Sequence, residues 1–308
     1  MKTLTLAHYY TTPDVQAAAD YVGDSLELAL IAQREKADRI VFAGVKFMAE
    51  TTKIINPESE IILPDEEATC SLVTQTDINA LKQWRDKYAD YVHVSYINSS
   101  AEHKTISDWI VTSRNVDDII ASIYAEGKKV IFSPDRNMGA YLNYQYGYDM
   151  PVWNAVCEVH DKFKDEQIAY MMEQAKSEGA VYLLSHPESP LPVLKRSNFI
   201  GSTKQMLDWI EKFNSEAGTI YVATEEGLLH NMRVLRPELN IQQAPIYSGC
   251  QCNACPYMKR NTVELVKRAQ QGDGFVIDYL DEDTMNKARK PIERMLTFSQ
   301  KLMEKDAA

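Results

Sequence analysis

Tyr91–Asn98 reads YVHVSYIN, a short apolar-rich run that ends in two polar residues, Tyr96 and Asn98, set two apart. The same design occurs 88 residues earlier, where the run Leu4–Ala7 ends in His8 and Tyr10. It occurs again 90 residues later, where Val181–Ser185 ends in His186 and Glu188. A repeat kept only for packing would show apolar residues at matching positions; here the matching positions are polar. Residues two apart on a strand face one side of a sheet, so each pair can look into one cavity. A chain that repeats such a pair three times points to a single site at a three-fold centre.

Other residues keep the interval. Ser25, Ser113 and Thr203 are spaced by 88 and 90 residues, and Cys70, Cys157 and Cys255 fall one to a repeat. Around each strand-end pair the pattern alternates. In the first repeat a helical stretch, Val15–Ala37, is broken near Gly23 and leads to a buried strand at Arg39–Ala43. A helix over Phe47–Ile55 and a strand at Ile61–Leu63 follow. The second repeat offers a helix over Asn115–Glu126, a strand at Lys129–Phe132 and a weaker strand at Pro151–Trp153. The third offers a helix over Lys204–Phe213, a strand at Thr219–Ala223, a helix near Leu228–Leu235 and a weak strand around Ile241. Strands alternating with helices at this spacing predict small parallel sheets covered on both faces, with ligands bound beyond the carboxyl ends of the strands. The expected organisation is three similar α/β domains, 1–87, 88–176 and 177–260, around a pseudo-three-fold axis. Residues 261–308 form a helical tail, interrupted near Pro291, that packs on them.

Bulk properties agree and exclude some functions. At 308 residues the chain exceeds a usual single domain, and its 45% apolar and 25% charged residues suit a globular protein with a real core. A formal charge of −11 argues against nucleic acid and anionic membranes as partners. Met1–Leu6 runs straight into strand pattern without a signal-like apolar stretch, so a cytoplasmic location is expected.

The candidate chemistry follows from the polar sets. Ser25, Ser113 and Thr203 stand just before or at helix starts, where unpaired N–H groups and the helix dipole attract anions; each alone would be an ordinary N-cap. His8 and His186 titrate near neutrality unless shifted, Glu188 can abstract a proton, and Tyr10 and Tyr96 can donate one. The five cysteines leave several readings open. Cys252 and Cys255 form a C-x-x-C that suits a redox pair or half of a zinc site, with Cys250 near and only His230 as a fourth ligand. Alternatively, Cys70, Cys157 and Cys255 supply three thiolates to an iron–sulfur cluster whose remaining iron is open and acts as a Lewis acid.

The chain also resembles the quinolinate synthase family, the A proteins of de novo NAD biosynthesis. The resemblance is carried by His8-Tyr9-Tyr10, Gly23–Leu28 (GDSLEL), Gly44–Pro57 (GVKFMAETTKIINP), Tyr96–Trp109 (YINSSAEHKTISDW) and Pro134–Gly139 (PDRNMG). Trp153–His160 (WNAVCEVH), His186-Pro187-Glu188, Gly201-Ser202-Thr203, Thr224–His230 (TEEGLLH) and Cys255–Met258 (CPYM) continue it. Tyr9 stands where many members have Asn, and Lys46 where many have His. The resemblance implies three α/β domains around a 4Fe-4S cluster held by Cys70, Cys157 and Cys255. It implies condensation of iminoaspartate with dihydroxyacetone phosphate to quinolinate, with release of phosphate and two waters. L-aspartate oxidase or aspartate dehydrogenase would supply the iminoaspartate. By the same token, Tyr10, Tyr96, His186 and Glu188 carry catalysis, while His8, Ser25, Asn98, Ser113, Ser202 and Thr203 bind substrate. The C-x-x-C resembles one that in some members suggests thiol–disulfide control. A non-catalytic iron–sulfur redox sensor, with the fourth iron capped by a protein ligand, is the rival reading, and another open-iron dehydratase on a related triplicated fold is a second.

Overall fold

The structure is a computed structural model that describes residues 1–214, 218–246 and 253–306. The first repeat contains β1 (Thr3–His8), α1 (Pro13–Ala17), β2 (Tyr21–Gly23), α2 (Ser25–Glu35), β3 (Arg39–Ala43), α3 (Lys46–Ile55), β4 (Glu60–Leu63), α4 (Ser71–Thr74) and α5 (Ile78–Asp86). The second contains β5 (Val92–Tyr96), α6 (Ala101–Thr105), β6 (Trp109–Val111), α7 (Val116–Ala125), β7 (Val130–Ser133) and α8 (Arg136–Tyr146). The third contains α9 (Asp165–Ala175), β8 (Val181–Ser185), α10 (Leu191–Arg196), β9 (Phe199–Ile200), α11 (Thr203–Lys212), β10 (Thr219–Ala223), α12 (Gly227–Leu235) and β11 (Asn240–Gln243). After them come α13 (Val263–Gln270), β12 (Phe275–Val276) and α14 (Glu282–Asp306).

Three sheets result, ordered β12-β4-β3-β1-β2, β6-β5-β7 and β11-β10-β8-β9, and all pairings among named strands are parallel except β12 against β4. In each sheet the strand that ends at the polar pair is an interior strand, flanked by the short strand that follows it and by the next long one. Alternation places Leu4, Leu6, Ile40 and Phe42 in one core and Ala7, Val41, Ala43 and Ile62 in another, so the first sheet is buried on both faces. The third sheet does the same with Leu184, Ile220 and Val222 on one side and Leu183, Tyr221 and Ala223 on the other.

Several sequence expectations need correction. The helical stretch expected over Val15–Ala37 with a break near Gly23 is α1 and α2 separated by a strand at that break: Tyr21–Gly23 pairs with Leu6–His8, and Asp20 accepts a hydrogen bond from the Thr5 amide at 2.7 Å. β6 and β9, three and two residues long, escaped the pattern because so few residues show no period. A signal for them exists: Asp108 accepts from His93 N and Asn198 from Leu183 N, each at 2.8 Å, at the interval that relates them to Asp20. Pro151–Trp153 contributes only an isolated bridge, Val152 with Phe132, because Pro151 has no N–H to extend a ladder. The tail is not purely helical, since Phe275–Val276 adds an antiparallel edge to the first sheet. Nor does Pro291 interrupt α14, which runs through it and buries Ala288, Ile292, Met295 and Leu296. α14 bridges two repeats: Arg289 donates to Ile54 O at 2.9 Å and Asn115 to Ser299 Oγ at 2.8 Å.

Candidate active site at the meeting of three sheets

The carboxyl ends of β1, β5 and β8 open on one cavity, and the turn that follows each strand repeats. The carbonyl of His8 accepts from Thr11 N (3.0 Å), that of Tyr96 from Ser99 Oγ (2.8 Å) and that of His186 from Ser189 N (2.9 Å). These turns, more than pleat alternation, bring each pair round: Tyr10, Asn98, His186 and Glu188 lie beyond the strand ends, yet all six pair members line the cavity.

The three hydroxyls line it too. None of them holds a cap position, which falls to Asp24, Asn115 and Ser202. Asp24 caps α2 through Glu27 N at 2.8 Å, Asn115 binds Thr112 N ahead of α7, and Ser202 closes a capping box with Gln205 on α11. Ser25 and Thr203 therefore occupy the first helical position with their hydroxyls free of the cap, beside unpaired N–H groups suited to an anion. Ser202, by contrast, is committed to its capping box and is not among the residues lining the cavity.

Cys70, Cys157 and Cys255 reach the same cavity as free thiols. Burial raises all three. Cys255 is pushed up to about 11, and Cys70 and Cys157 are pushed up as well, each by burial first and then by neighbouring negative groups, Cys70 feeling Cys255, and Cys157 feeling Glu188 and both other thiols. Three buried thiols lining one cavity serve as ligands only when a cation replaces their protons, so the donor set suits an iron–sulfur cluster. The pairing of Cys252 with Cys255, like any role of Cys250, lies outside the described residues.

Glu188 is the hub. His160 Nδ1 stands 2.6 Å from its Oε2, Asn98 Nδ2 donates to Oε1 at 3.2 Å, and Tyr96 hydrogen-bonds the same carboxylate. Burial pushes the Glu188 carboxyl up, but the hydrogen bonds it accepts from His160 and the Tyr96 phenol outweigh it and hold it below the ordinary carboxylate range, so Glu188 is ionised. His8 and His186 are held down to about 3 by burial, against the pull of Glu188, and are neutral. Burial and the Glu188 charge keep the Tyr10 and Tyr96 phenols well above their ordinary value, so both remain donors.

Sequence reasoning assigned no role to His160, Thr224, Asn137 or Glu225. His160 Nδ1 lies 3.2 Å from Cys157 Sγ and, because a carboxylate only accepts, donates to Glu188, while its Nε2 lies 2.9 Å from Thr224 Oγ1. Tyr10 OH lies 2.7 Å from that Thr224 oxygen. A continuous path thus runs Tyr10, Thr224, His160, Glu188. Asn137 donates to Glu188 O at 3.0 Å and to Asp161 Oδ1 at 2.9 Å, tying the third-sheet turn to the second repeat. The signal for His160 was its place three residues after Cys157. Cys157, His160 and Glu188 each present a ligand atom within 4.8 Å of the others, but both His160 nitrogens are engaged, which leaves it unready to cap an iron.

Fold and site together define a class: a triplicated α/β protein whose buried interdomain cavity joins three thiols to an acid–base network. The chain belongs to the quinolinate synthetase A protein family, whose model matches residues 1–297. It is 43% identical over 300 residues to the quinolinate synthase of Gloeothece citriformis, covering 97% of this chain and 90% of that one. The quinolinate synthase of Chloroherpeton thalassium is 42% identical over 300 residues (97% and 91%), and that of Microcystis aeruginosa 41% over 299 (97% and 92%). Among the described residues no helix is long and apolar enough to cross a membrane.

Proposed function

We propose that this protein is a quinolinate synthase that condenses iminoaspartate with dihydroxyacetone phosphate, releasing phosphate and two waters. The observation that carries the reading is the convergence of Cys70, Cys157 and Cys255, from three repeats, on the cavity that also holds Glu188 and its donors. The domain limits 1–87, 88–176 and 177–260, with the tail 261–308, are proposed on the repeat of sheet order and turn geometry. An L-aspartate oxidase or dehydrogenase is the proposed source of the imine.

Cys70, Cys157 and Cys255 would hold a 4Fe-4S cluster, which when bound supplies a Lewis-acidic iron that polarises substrate oxygen or nitrogen. The chain's own residues supply the rest. Ionised Glu188 takes a proton from a substrate carbon or nitrogen, and Tyr96, already hydrogen-bonded to it, returns one to a departing oxygen. Tyr10 is the second donor, resupplied through Thr224 and His160. Ser25, Ser113 and Thr203, with the N–H groups beside them, hold carboxylate or phosphate oxygens. Neutral His8 accepts Tyr10 N at Nδ1 (3.1 Å), so its proton sits on Nε2 as a further donor. Anaerobically reconstituted protein given iminoaspartate and dihydroxyacetone phosphate should form quinolinate with equal release of phosphate. No quinolinate from fully loaded protein refutes the reading and leaves the redox sensor or another dehydratase.

A further inference from the structure

Cys157 and Cys255 each have a backbone amide bonded to a buried carboxylate, Asp135 and Glu225, and among the described residues only that of Cys255 is also paired with a lysine. The Cys70 and Cys157 segments are stapled to each other: Ser71 Oγ donates to Val156 O (3.3 Å) and accepts from Glu158 N (3.0 Å), and Gln75 exchanges two bonds of 3.1 Å with Val156. Among the described residues, the segment carrying Cys255 meets them through Asn253, which donates to Val159 O at 2.9 Å, through Tyr257, hydrogen-bonded to Thr74, and through Arg260, paired with Asp65 and Glu67. The Cys255 amide donates to Glu225 Oε1 at 2.9 Å, and Gly227 N donates to Oε2 at 2.6 Å. Lys259 Nζ lies 2.8 Å from the same Oε1 and also donates to Tyr10 O at 2.9 Å, while Lys259 N closes a turn onto Cys255 O at 3.1 Å. The Glu225 side chain is fully buried and that of Lys259 is 20% exposed.

We propose that the Glu225–Lys259 pair is a positioning clasp that fixes Cys255 in register with Cys70 and Cys157 for iron, and at the same time seats the Tyr10 turn against the third domain. The inference rests on the cluster reading above. A carboxylate that accepts from the amide of a ligand residue orients the ligand without touching the metal, and loss of such a partner weakens metal binding by about 10- to 100-fold. The clasp suits the task because both oxygens are committed, Oε1 to Cys255 and Lys259, and Oε2 to Gly227. Glu225→Gln keeps the shape but turns one oxygen into a donor facing another donor.

The test is iron retention by the full chain after anaerobic reconstitution, followed by absorbance as a ferrous chelator strips it. Glu225→Gln and Lys259→Met should lose iron about 10- to 100-fold faster than the parent protein. Lys259→Arg, which keeps the charge, should restore retention. Leu207→Ala, a core truncation in the same repeat that touches no ligand segment, should lower the melting temperature but lose iron at the parent rate. Parent-like retention in both clasp variants, or equally fast loss from Leu207→Ala, overturns the clasp alone. A parent protein that takes up no iron overturns the cluster reading and the clasp with it.

Discussion

Glu188→Gln isolates the acid–base half of the site from the iron-binding half. The carboxylate is 2% exposed and ionised, with His160 at 2.6 Å, Asn98 at 3.2 Å and the Tyr96 phenol as partners. The amide has the same volume, so the cavity keeps its shape. It has no charge and no basicity, and its NH2 must face either Asn98 Nδ2 or the protonated His160 Nδ1, donor against donor. Losing the proton acceptor should slow turnover by about 10²- to 10⁴-fold, or about 3 to 5 kcal/mol in the barrier. The thiols are untouched. Glu188 raises the Cys157 pKa, so its removal makes that thiol easier to ionise, and iron content should be undiminished. The assay is quinolinate formed per chain under anaerobic conditions, with iron counted on the same sample. Loaded Glu188→Gln protein turning over at the parent rate refutes the assignment of Glu188. Loss of iron together with turnover shows that Glu188 serves cluster assembly instead.

Adjacent hydroxyls on α11 should separate cleanly. Ser202→Ala removes a capping box and should cost about 1 kcal/mol of stability with KM unchanged, whereas Thr203→Ala should raise KM for dihydroxyacetone phosphate or iminoaspartate with little change in melting. Burial holds His93 down to about 4 from its ordinary 6.5. Its folded value lies below its unfolded one, so the unfolded chain binds the extra proton and stability present above pH 6.5 is lost as pH falls toward 4, by about 3 kcal/mol for this group. Denaturant melts at pH 7 and pH 5 should show a shallower acid loss in His93→Gln than in the parent. Gly227→Ala would set a Cβ 2.6 Å from Tyr9 O and 2.9 Å from Thr11 O, both backbone, so the Tyr10 turn must shift. A destabilisation of about 1 to 3 kcal/mol with a fall in kcat is expected, and parent-like melting contradicts the close approach.

The long strands were legible because they are buried on both faces and read as apolar runs, as in RIVFA at Arg39–Ala43 and TIYVA at Thr219–Ala223. Short β6 and β9 were not, since their placement depends on pairing with a neighbour and on Asp108 and Asn198, not on local pattern. Pro291 misled for a similar reason: packing of Ile292, Met295 and Leu296 carries α14 across a missing hydrogen bond. Within the site, the interval between copies marked the residues each repeat contributes in common. Glu225 answers to Asp135 ninety residues earlier, two residues past the matching strand, but His160 and Asn137 have no such counterpart. They act between repeats, and a contact between repeats leaves no period in the sequence.

The most direct test of the account is an iron and sulfide count on anaerobically reconstituted protein beside Cys70→Ala, Cys157→Ala and Cys255→Ala. The parent should carry about four irons per chain and form quinolinate, and each single variant should lose both cluster and activity. A Cys157→Ala protein that keeps full iron and full activity would contradict it.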